Sequence, residues 1–130
     1  MRNQINVLIV DDETIILDCL SIYFEDDGFN VQTATGAKEA LLMIASTKPQ
    51  ACVTDMGLNG MSGEEFILKA HEMAPDTRFL IHTGSSFNLT DKLRSIGMTE
   101  EDIVIKPALD FTIITNRIRA YVTESENNNV

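Results

Sequence analysis

The chain has 130 residues, 44% of them apolar, and carries 10 basic against 20 acidic residues, for a formal net charge of −10. This length suits a single domain with a buried core. The acidic balance argues against binding to nucleic acid or to an anionic membrane; it suits a protein that binds a divalent cation or a basic partner, with charge for solubility alone as the alternative.

Short apolar runs alternate with helix-like segments along the whole chain. Several runs are continuously apolar, as strands buried on both faces of a sheet are. The run at 31–35 instead alternates β-branched residues with other residues, which makes it the candidate edge strand. The predicted strands, in chain order, are 7–10, 31–35, 51–54, 79–82 and 103–105.

Helical spacing of apolar residues fills the segments between these strands. Ser62 stands three residues before Glu65, the spacing of a capping box, and predicts the start of the third helix. The polar residues 124–130 predict a frayed tail behind a domain of residues 1–123. The helical sets are Ile16, Leu20 and Phe24 before Gly28; Ala37, Leu41 and Ile44 before Pro49; Phe66, Ala70 and Met73 before Pro75; Leu89, Leu93 and Ile96 before Gly97; and Phe111, Ile114, Ile118 and Tyr121.

Strict alternation of strands and helices predicts an α/β fold, a doubly wound five-stranded parallel sheet with five helices on both faces. The chain has no apolar stretch of about 18 residues, so the sequence predicts no membrane span. The N-terminus lacks the pattern of a secretory signal, which favours a cytoplasmic protein. Cys19 and Cys52 stand among apolar residues without a CxxC spacing, so we expect two buried free thiols.

Polar side chains cluster at the predicted carboxyl ends of the strands. Asp11 and Asp12 follow the first strand, Asp55 follows the third, Thr83 ends the fourth and Lys106 ends the fifth. Parallel strands present these ends at one edge of the sheet, so the carboxylates should converge there. Such carboxylates repel each other, and Mg²⁺, which prefers oxygen ligands, would remove that repulsion. The alternative, in which the two aspartates only cap the first helix, does not explain the other three residues.

Four short motifs on this pattern resemble the receiver domain of response regulators in two-component signalling. They are VDDE (10–13), DMGLNGMSG (55–63), HTG (82–84) and IVIKP (103–107), and the resemblance spans residues 5–123. It implies a flavodoxin-like strand order of 2-1-3-4-5. It also implies that the domain accepts a phosphoryl group from a sensor histidine kinase or a phosphotransfer protein and then switches the binding of a downstream protein, as a monomer or weak dimer. Only a short polar tail follows the fifth helical set, so we expect the domain to stand alone.

The same resemblance assigns roles by position. Asp55 corresponds to the phosphorylated aspartate, and Mg²⁺, with Mn²⁺ as its substitute, would be held by Asp55, Asp12, the more water-mediated Asp11 and the Gly57 carbonyl. Lys106 corresponds to the lysine that pairs with the acceptor or a phosphoryl oxygen, and its bond to Pro107 to a peptide bond that is typically cis. Thr83 corresponds to the switch hydroxyl.

The sequence departs from the family pattern at several positions. Asn59 replaces a common proline, while Gly57 and Ser85 are small where other receivers often carry side chains that tune the phosphoryl lifetime. Ile103 stands where many receivers have Tyr or Phe, so we expect signalling through shifts of the loop and helix after Thr83 instead of an aromatic switch.

Three alternatives remain open at the level of sequence. The chain could be a receiver-like binding module that takes no phosphate, a fragment of a larger regulator, or a Mg²⁺-dependent phosphohydrolase. The last usually needs an acidic residue two positions after its nucleophile, where this chain has Gly57. His71 and His82 lack metal-ligand spacing and are interpreted as ordinary surface or packed histidines.

Overall fold

The structure is a computed structural model that describes residues 4–84, 87–106 and 110–128, with side chains up to residue 126. Strands and helices alternate throughout, with one short 3₁₀ turn at Glu100–Asp102 before the last strand. The strands are β1 (Asn6–Val10), β2 (Asn30–Ala34), β3 (Ala51–Thr54), β4 (Arg78–Thr83) and β5 (Ile103–Ile105). The helices are α1 (Thr14–Asp26), α2 (Ala37–Thr47), α3 (Gly63–Met73), α4 (Asp91–Ser95) and α5 (Thr112–Asn128).

The five strands form one parallel sheet in the order β2-β1-β3-β4-β5. The predicted fold class and strand order are therefore confirmed. The alternating strand β2 lies at one edge, as its pattern indicated, and β5 lies at the other. The order reverses direction between β1 and β3, and in sheets of this kind ligands bind beyond the carboxyl ends of the strands at that point.

Each face of the sheet carries its own apolar core. One core joins α1 and α5 to the sheet through side chains such as Leu20, Phe24 and Ile118. The other joins α2, α3 and α4 to the opposite face through residues such as Ile44, Phe66 and Leu93. Burial on both faces explains why the central strands are continuously apolar.

The helix boundaries follow local signals in the sequence. Ser62 accepts a hydrogen bond from the Glu65 N–H at 3.2 Å, which confirms the predicted start of α3. The fourth helix is shorter than its apolar spacing suggested, because it begins at Asp91, after the Thr90 cap, and Leu89 packs in the core before it. Among the described residues, no helix is both long and apolar enough to cross a bilayer.

One further expectation from the sequence, two buried thiols, is wrong. Cys52 is buried, but Cys19 is exposed. Cys19 lies two residues beyond the buried Leu17, about 200° around the helix axis, and so faces away from the sheet. The helix α5 extends through the polar residues from position 124 to Asn128, and the frayed tail stays a prediction.

Candidate functional site

The carboxyl ends of β1, β3 and β5 bring three of the predicted side chains into direct contact. Lys106 donates hydrogen bonds from Nζ to Asp11 Oδ2 at 2.6 Å and to Asp55 Oδ2 at 3.0 Å. The side chain of Asp11 is only 2% exposed, and those of Lys106 and Asp55 are 10% and 12% exposed. Charges that are removed from water in this way need partners of opposite charge, and Lys106 is that partner for both aspartates.

The acceptor candidate Asp55 is held at both carboxylate oxygens. Its Oδ1 accepts hydrogen bonds from the backbone N–H groups of Met56 at 2.6 Å and Gly57 at 3.3 Å, while Oδ2 faces Lys106. Burial opposes ionisation of Asp55, but the bonds from Lys106, Gly57 and Met56 outweigh it and hold the pKa of the carboxyl below its ordinary value. Asp55 is therefore a carboxylate at neutral pH, the form that acts as a nucleophile.

Lys106 reaches these carboxylates across the end of an intervening strand. It follows β5, whereas Asp55 follows β3, and β4 lies between them. Gly84, the residue after β4, lies beside Lys106, and a Cβ on Gly84 would be 4.0 Å from the Lys106 Cβ, an ordinary van der Waals distance. Burial lowers the pKa of Lys106, but its bonds to Asp11 and Asp55 outweigh this effect and raise it above the ordinary value.

Asp11 and Asp12 differ in how they are engaged. Asp11 accepts the Glu13 N–H at Oδ1 with a distance of 2.9 Å, so both of its oxygens are in use. Asp12 is exposed, and within the described ranges its carboxylate makes no hydrogen bond or ion pair. The N-cap residue of α1 is Glu13, without a side-chain cap bond, which disfavours the view that these aspartates only cap the helix.

Four carboxylates at this edge could together bind a cation. Asp11, Asp12, Glu13 and Asp55 each offer an oxygen, and these atoms lie within 4.8 Å of one another. Oxygen donors of this kind fit a hard divalent cation such as Mg²⁺. Glu13 was part of the acidic run in the sequence but was not assigned to the site; its carboxylate also lies 3.6 Å from the Lys106 ammonium.

Thr83 and Ile103 lie where the sequence placed them. Thr83 ends β4 and is buried, and its carbonyl oxygen accepts the Lys106 N–H at 2.8 Å. Among the described residues no hydrogen bond joins the Thr83 hydroxyl to Asp55. Ile103 is partly buried against the core on the α4 side. The predictions for Ser85 and for the bond between Lys106 and Pro107 fall outside the described residues.

The loop after Asp55 returns to pack against its own start. The Gly63 N–H donates to the Met56 carbonyl oxygen at 2.8 Å. A Cβ on Gly63 would lie 2.6 Å from the Met56 Cα and 2.7 Å from the Asp55 carbonyl oxygen, closer than side chains approach. Gly63 is thus required by a close approach of two backbone segments at the acceptor.

One residue near the site was set aside on sequence grounds. His82 is only 2% exposed, and neither of its ring nitrogens has a hydrogen-bond partner in the part of the chain that the structure describes. Burial and the charge of Lys106 lower its pKa, partly offset by Asp11 and Asp55, so its ring is neutral. The sequence carried no signal for this position beyond its place next to Thr83.

Comparisons with known proteins show the family of this chain. The pattern that defines the response regulator receiver domain matches residues 7–119. The chain is 29% identical over 126 residues to the response regulator SaeR of Staphylococcus epidermidis, covering 95% of this chain and 54% of that protein. It is 31% identical over 118 residues to the transcriptional regulatory protein YvrH of Bacillus subtilis, covering 90% and 48%. The chain thus spans about half the length of these curated relatives.

A solved structure shows the same architecture. The crystal structure of a CheY-like response regulator receiver domain protein from Methanospirillum hungatei superimposes with a TM-score of 0.82 at 25% identity, covering 97% of this chain and 99% of that one. The fold, the matched residues and the relatives agree on one family, whose general function is phosphorelay signalling. This chain belongs to the response regulator receiver domains of two-component systems.

Proposed function

We propose that this chain accepts a phosphoryl group on Asp55 from the phosphohistidine of a sensor histidine kinase or a phosphotransfer protein, and that phosphorylation changes its affinity for a downstream protein. The observation that carries the proposal is the contact of the Asp55 carboxylate with Lys106 beside three other carboxylates at one sheet edge. A carboxylate nucleophile beside an ammonium group and a cation site is suited to phosphoryl transfer.

The transfer exchanges one bond to phosphorus for another. An oxygen of Asp55 forms the new P–O bond, the P–N bond to the donor imidazole breaks, and its electron pair stays on the departing ring. Oδ1 is oriented by the N–H groups of Met56 and Gly57, and Oδ2 lies at the Lys106 ammonium. Lys106 is then placed to pair with a phosphoryl oxygen as negative charge is added to the site.

The donor set fits Mg²⁺, with Mn²⁺ as its substitute. The Asp12 carboxylate has no partner among the residues that the structure describes and would be the direct ligand, whereas Asp11 uses both oxygens within the protein and would act through water. Asp55 and the Gly57 carbonyl would complete the protein ligands. When bound, the cation supplies neutralisation of phosphoryl charge and orientation of the incoming group.

The response would spread from Thr83 to the segment that leads into α4. In this proposal, the Thr83 hydroxyl turns to bond the phosphoryl group and displaces the residues between β4 and α4. Two isoleucines near this side, Ile105 on β5 and Ile113 on α5, are 50% and 56% exposed. We place the downstream contact on the face formed by α4, β5 and α5, because this face is next to the segment that would shift and both isoleucines belong to it.

Phosphorylation by a small donor tests the chemistry directly. Purified chain is incubated with acetyl phosphate and Mg²⁺, and its mass is measured intact. We expect one added phosphoryl group on the wild type and none on Asp55→Ala. Asp18→Asn, which removes an exposed carboxylate on α1 away from the sheet edge, is the matched control and should be modified as the wild type is.

The competing functions give different results in the same assay. A receiver-like binding module would show no mass increase in the wild type. A phosphohydrolase would release phosphate from generic phosphate esters in many turnovers, whereas a receiver turns over only through its own phosphorylation and dephosphorylation. Either result would overturn the proposal.

A further inference from the structure

His82 lies in the same row of side chains as the acceptor. The register pairs Thr54 with Ile81, so the next position along both strands sets Asp55 beside His82. On the other side His82 pairs with Val104 of β5. Neighbouring strands are about 4.8 Å apart, so the backbone of His82 lies beside that of the residue that would be phosphorylated.

The ring also lies on the face from which Lys106 approaches. Leu80 and Val104 both belong to the core beneath α1 and α5, and side chains alternate along a strand. His82, two residues after Leu80, and Lys106, two residues after Val104, therefore share that face. The Lys106 side chain crosses the end of β4 to reach Asp55, and His82 lies at that end of β4 on the same face of the sheet.

Lys106 has a hydrogen-bond donor to spare, and His82 has an acceptor to spare, among the described residues. The Lys106 ammonium has three donors, and two are used by Asp11 and Asp55. The remaining contact in the described structure is the more distant Glu13 carboxylate at 3.6 Å, beyond hydrogen-bonding range. His82 offers a neutral acceptor nitrogen that is buried without a partner among the described residues. A buried polar group without a hydrogen-bond partner lowers the stability of the fold, so its presence calls for an explanation in function.

We propose that His82 is a positioning residue of this site, which gives Lys106 a neutral hydrogen-bond acceptor, directly or through one water molecule, while the ammonium moves from Asp55 to the phosphoryl group. The inference rests on the proposed function. A neutral acceptor suits the position because the site already holds four carboxylates, and a further anion would compete for the same ammonium.

Replacement by an apolar residue separates this role from simple packing. His82→Leu removes two unpaired buried nitrogens, so the urea midpoint should rise. The rate of phosphorylation by acetyl phosphate should nevertheless fall about tenfold, the effect of one hydrogen bond to a charged group. His82→Gln restores a neutral acceptor and should recover most of the rate. Leu80→Met, a volume-conserving change on the same strand and face, is the control and should leave the rate unchanged.

A second measurement on the wild type does not depend on how the variants fold. The ring nitrogens of ¹⁵N-labelled His82 are observed by NMR before and after addition of beryllofluoride and Mg²⁺, which imitate the phosphoryl group. We expect the shift of the acceptor nitrogen to change on addition, and to stay fixed in Lys106→Met. A wild-type rate in His82→Leu, or an unchanged nitrogen shift, would overturn the inference. If instead the wild type takes no phosphoryl group from acetyl phosphate, the proposed function itself fails.

Discussion

Substitution of Gly63 by alanine tests the packing of the acceptor loop. The new Cβ would lie 2.6 Å from the Met56 Cα and 2.7 Å from both the Asp55 carbonyl oxygen and the Met56 sulfur. The optimal separation of non-bonded carbon atoms is about 3.5–4.0 Å, so the two backbone segments must separate by about 1 Å. The Met56 sulfur can move aside because it lies in a flexible side chain. The Asp55 carbonyl oxygen and the Met56 Cα belong to one peptide unit, and moving them also moves the acceptor Asp55.

Two opposing effects decide the size of the stability change. Alanine is the better helix former by about 1 kcal/mol inside a helix, and by less at Gly63, the first residue of α3. Overpacking of a filled site costs about 1–3 kcal/mol. Gly63→Ala should therefore be less stable by roughly 1–2 kcal/mol, which lowers the melting temperature by roughly 4 °C per kcal/mol in a chain of this size.

The loop displacement should also be visible in the chemistry. A shift of about 1 Å at the acceptor can lower the rate of phosphoryl transfer from acetyl phosphate by tenfold or more. Urea unfolding and intact-mass kinetics measure the two effects. Gly36→Ala is the control, because its Cβ meets nothing within 4 Å and the backbone there is extended; it should change stability by less than about 1 kcal/mol and leave the rate unchanged. Wild-type stability and rate in Gly63→Ala would refute the reasoning.

Two more predictions concern acid sensitivity and the far end of the sheet. The pKa of Asp55 is lower in the folded chain than its ordinary value of about 3.9, so its contribution to stability is present above that pH and lost as the pH falls through the folded value. The free energy of unfolding of wild type should then fall more steeply below about pH 4 than that of Asp55→Asn, measured by urea titration; parallel curves would contradict this. Tyr121→Phe removes a hydroxyl that donates to the buried Asp102 and lies 3.2 Å from the Phe79 carbonyl oxygen, so urea unfolding should show a loss of about 1–3 kcal/mol. Its phosphorylation rate should stay at the wild-type level, and a slower rate would mean that this network reaches the acceptor.

The features of this fold that depend on chain direction and apolar period were predictable from the sequence. Continuous apolar strands separated by helical spacing require a parallel sheet, and a parallel sheet brings Asp11, Asp55 and Lys106 to one edge whatever the loops do. Local sequence patterns predicted helix boundaries and side-chain burial less well, because these also depend on tertiary packing. Leu89 has the spacing of a helical residue, yet the chain uses it as a core contact ahead of the Thr90 cap, so α4 starts later. Cys19 has apolar neighbours in sequence, but exposure depends on helix phase.

The limits of sequence reasoning at the site itself have a different physical origin. Which oxygen of Asp11 binds the Glu13 N–H and which binds Lys106 depends on the backbone path after β1, which residue types do not determine. His82 shows the same limit across strands, because its proximity to Asp55 follows from the register of β3 against β4, and the sequence shows only that it precedes Thr83. An isolated histidine in an apolar strand looks like packing until its neighbours in the sheet are known. In this chain those neighbours are a carboxylate and the path of an ammonium group, so a residue with almost no sequence signal becomes a candidate for a role beside the proposed site.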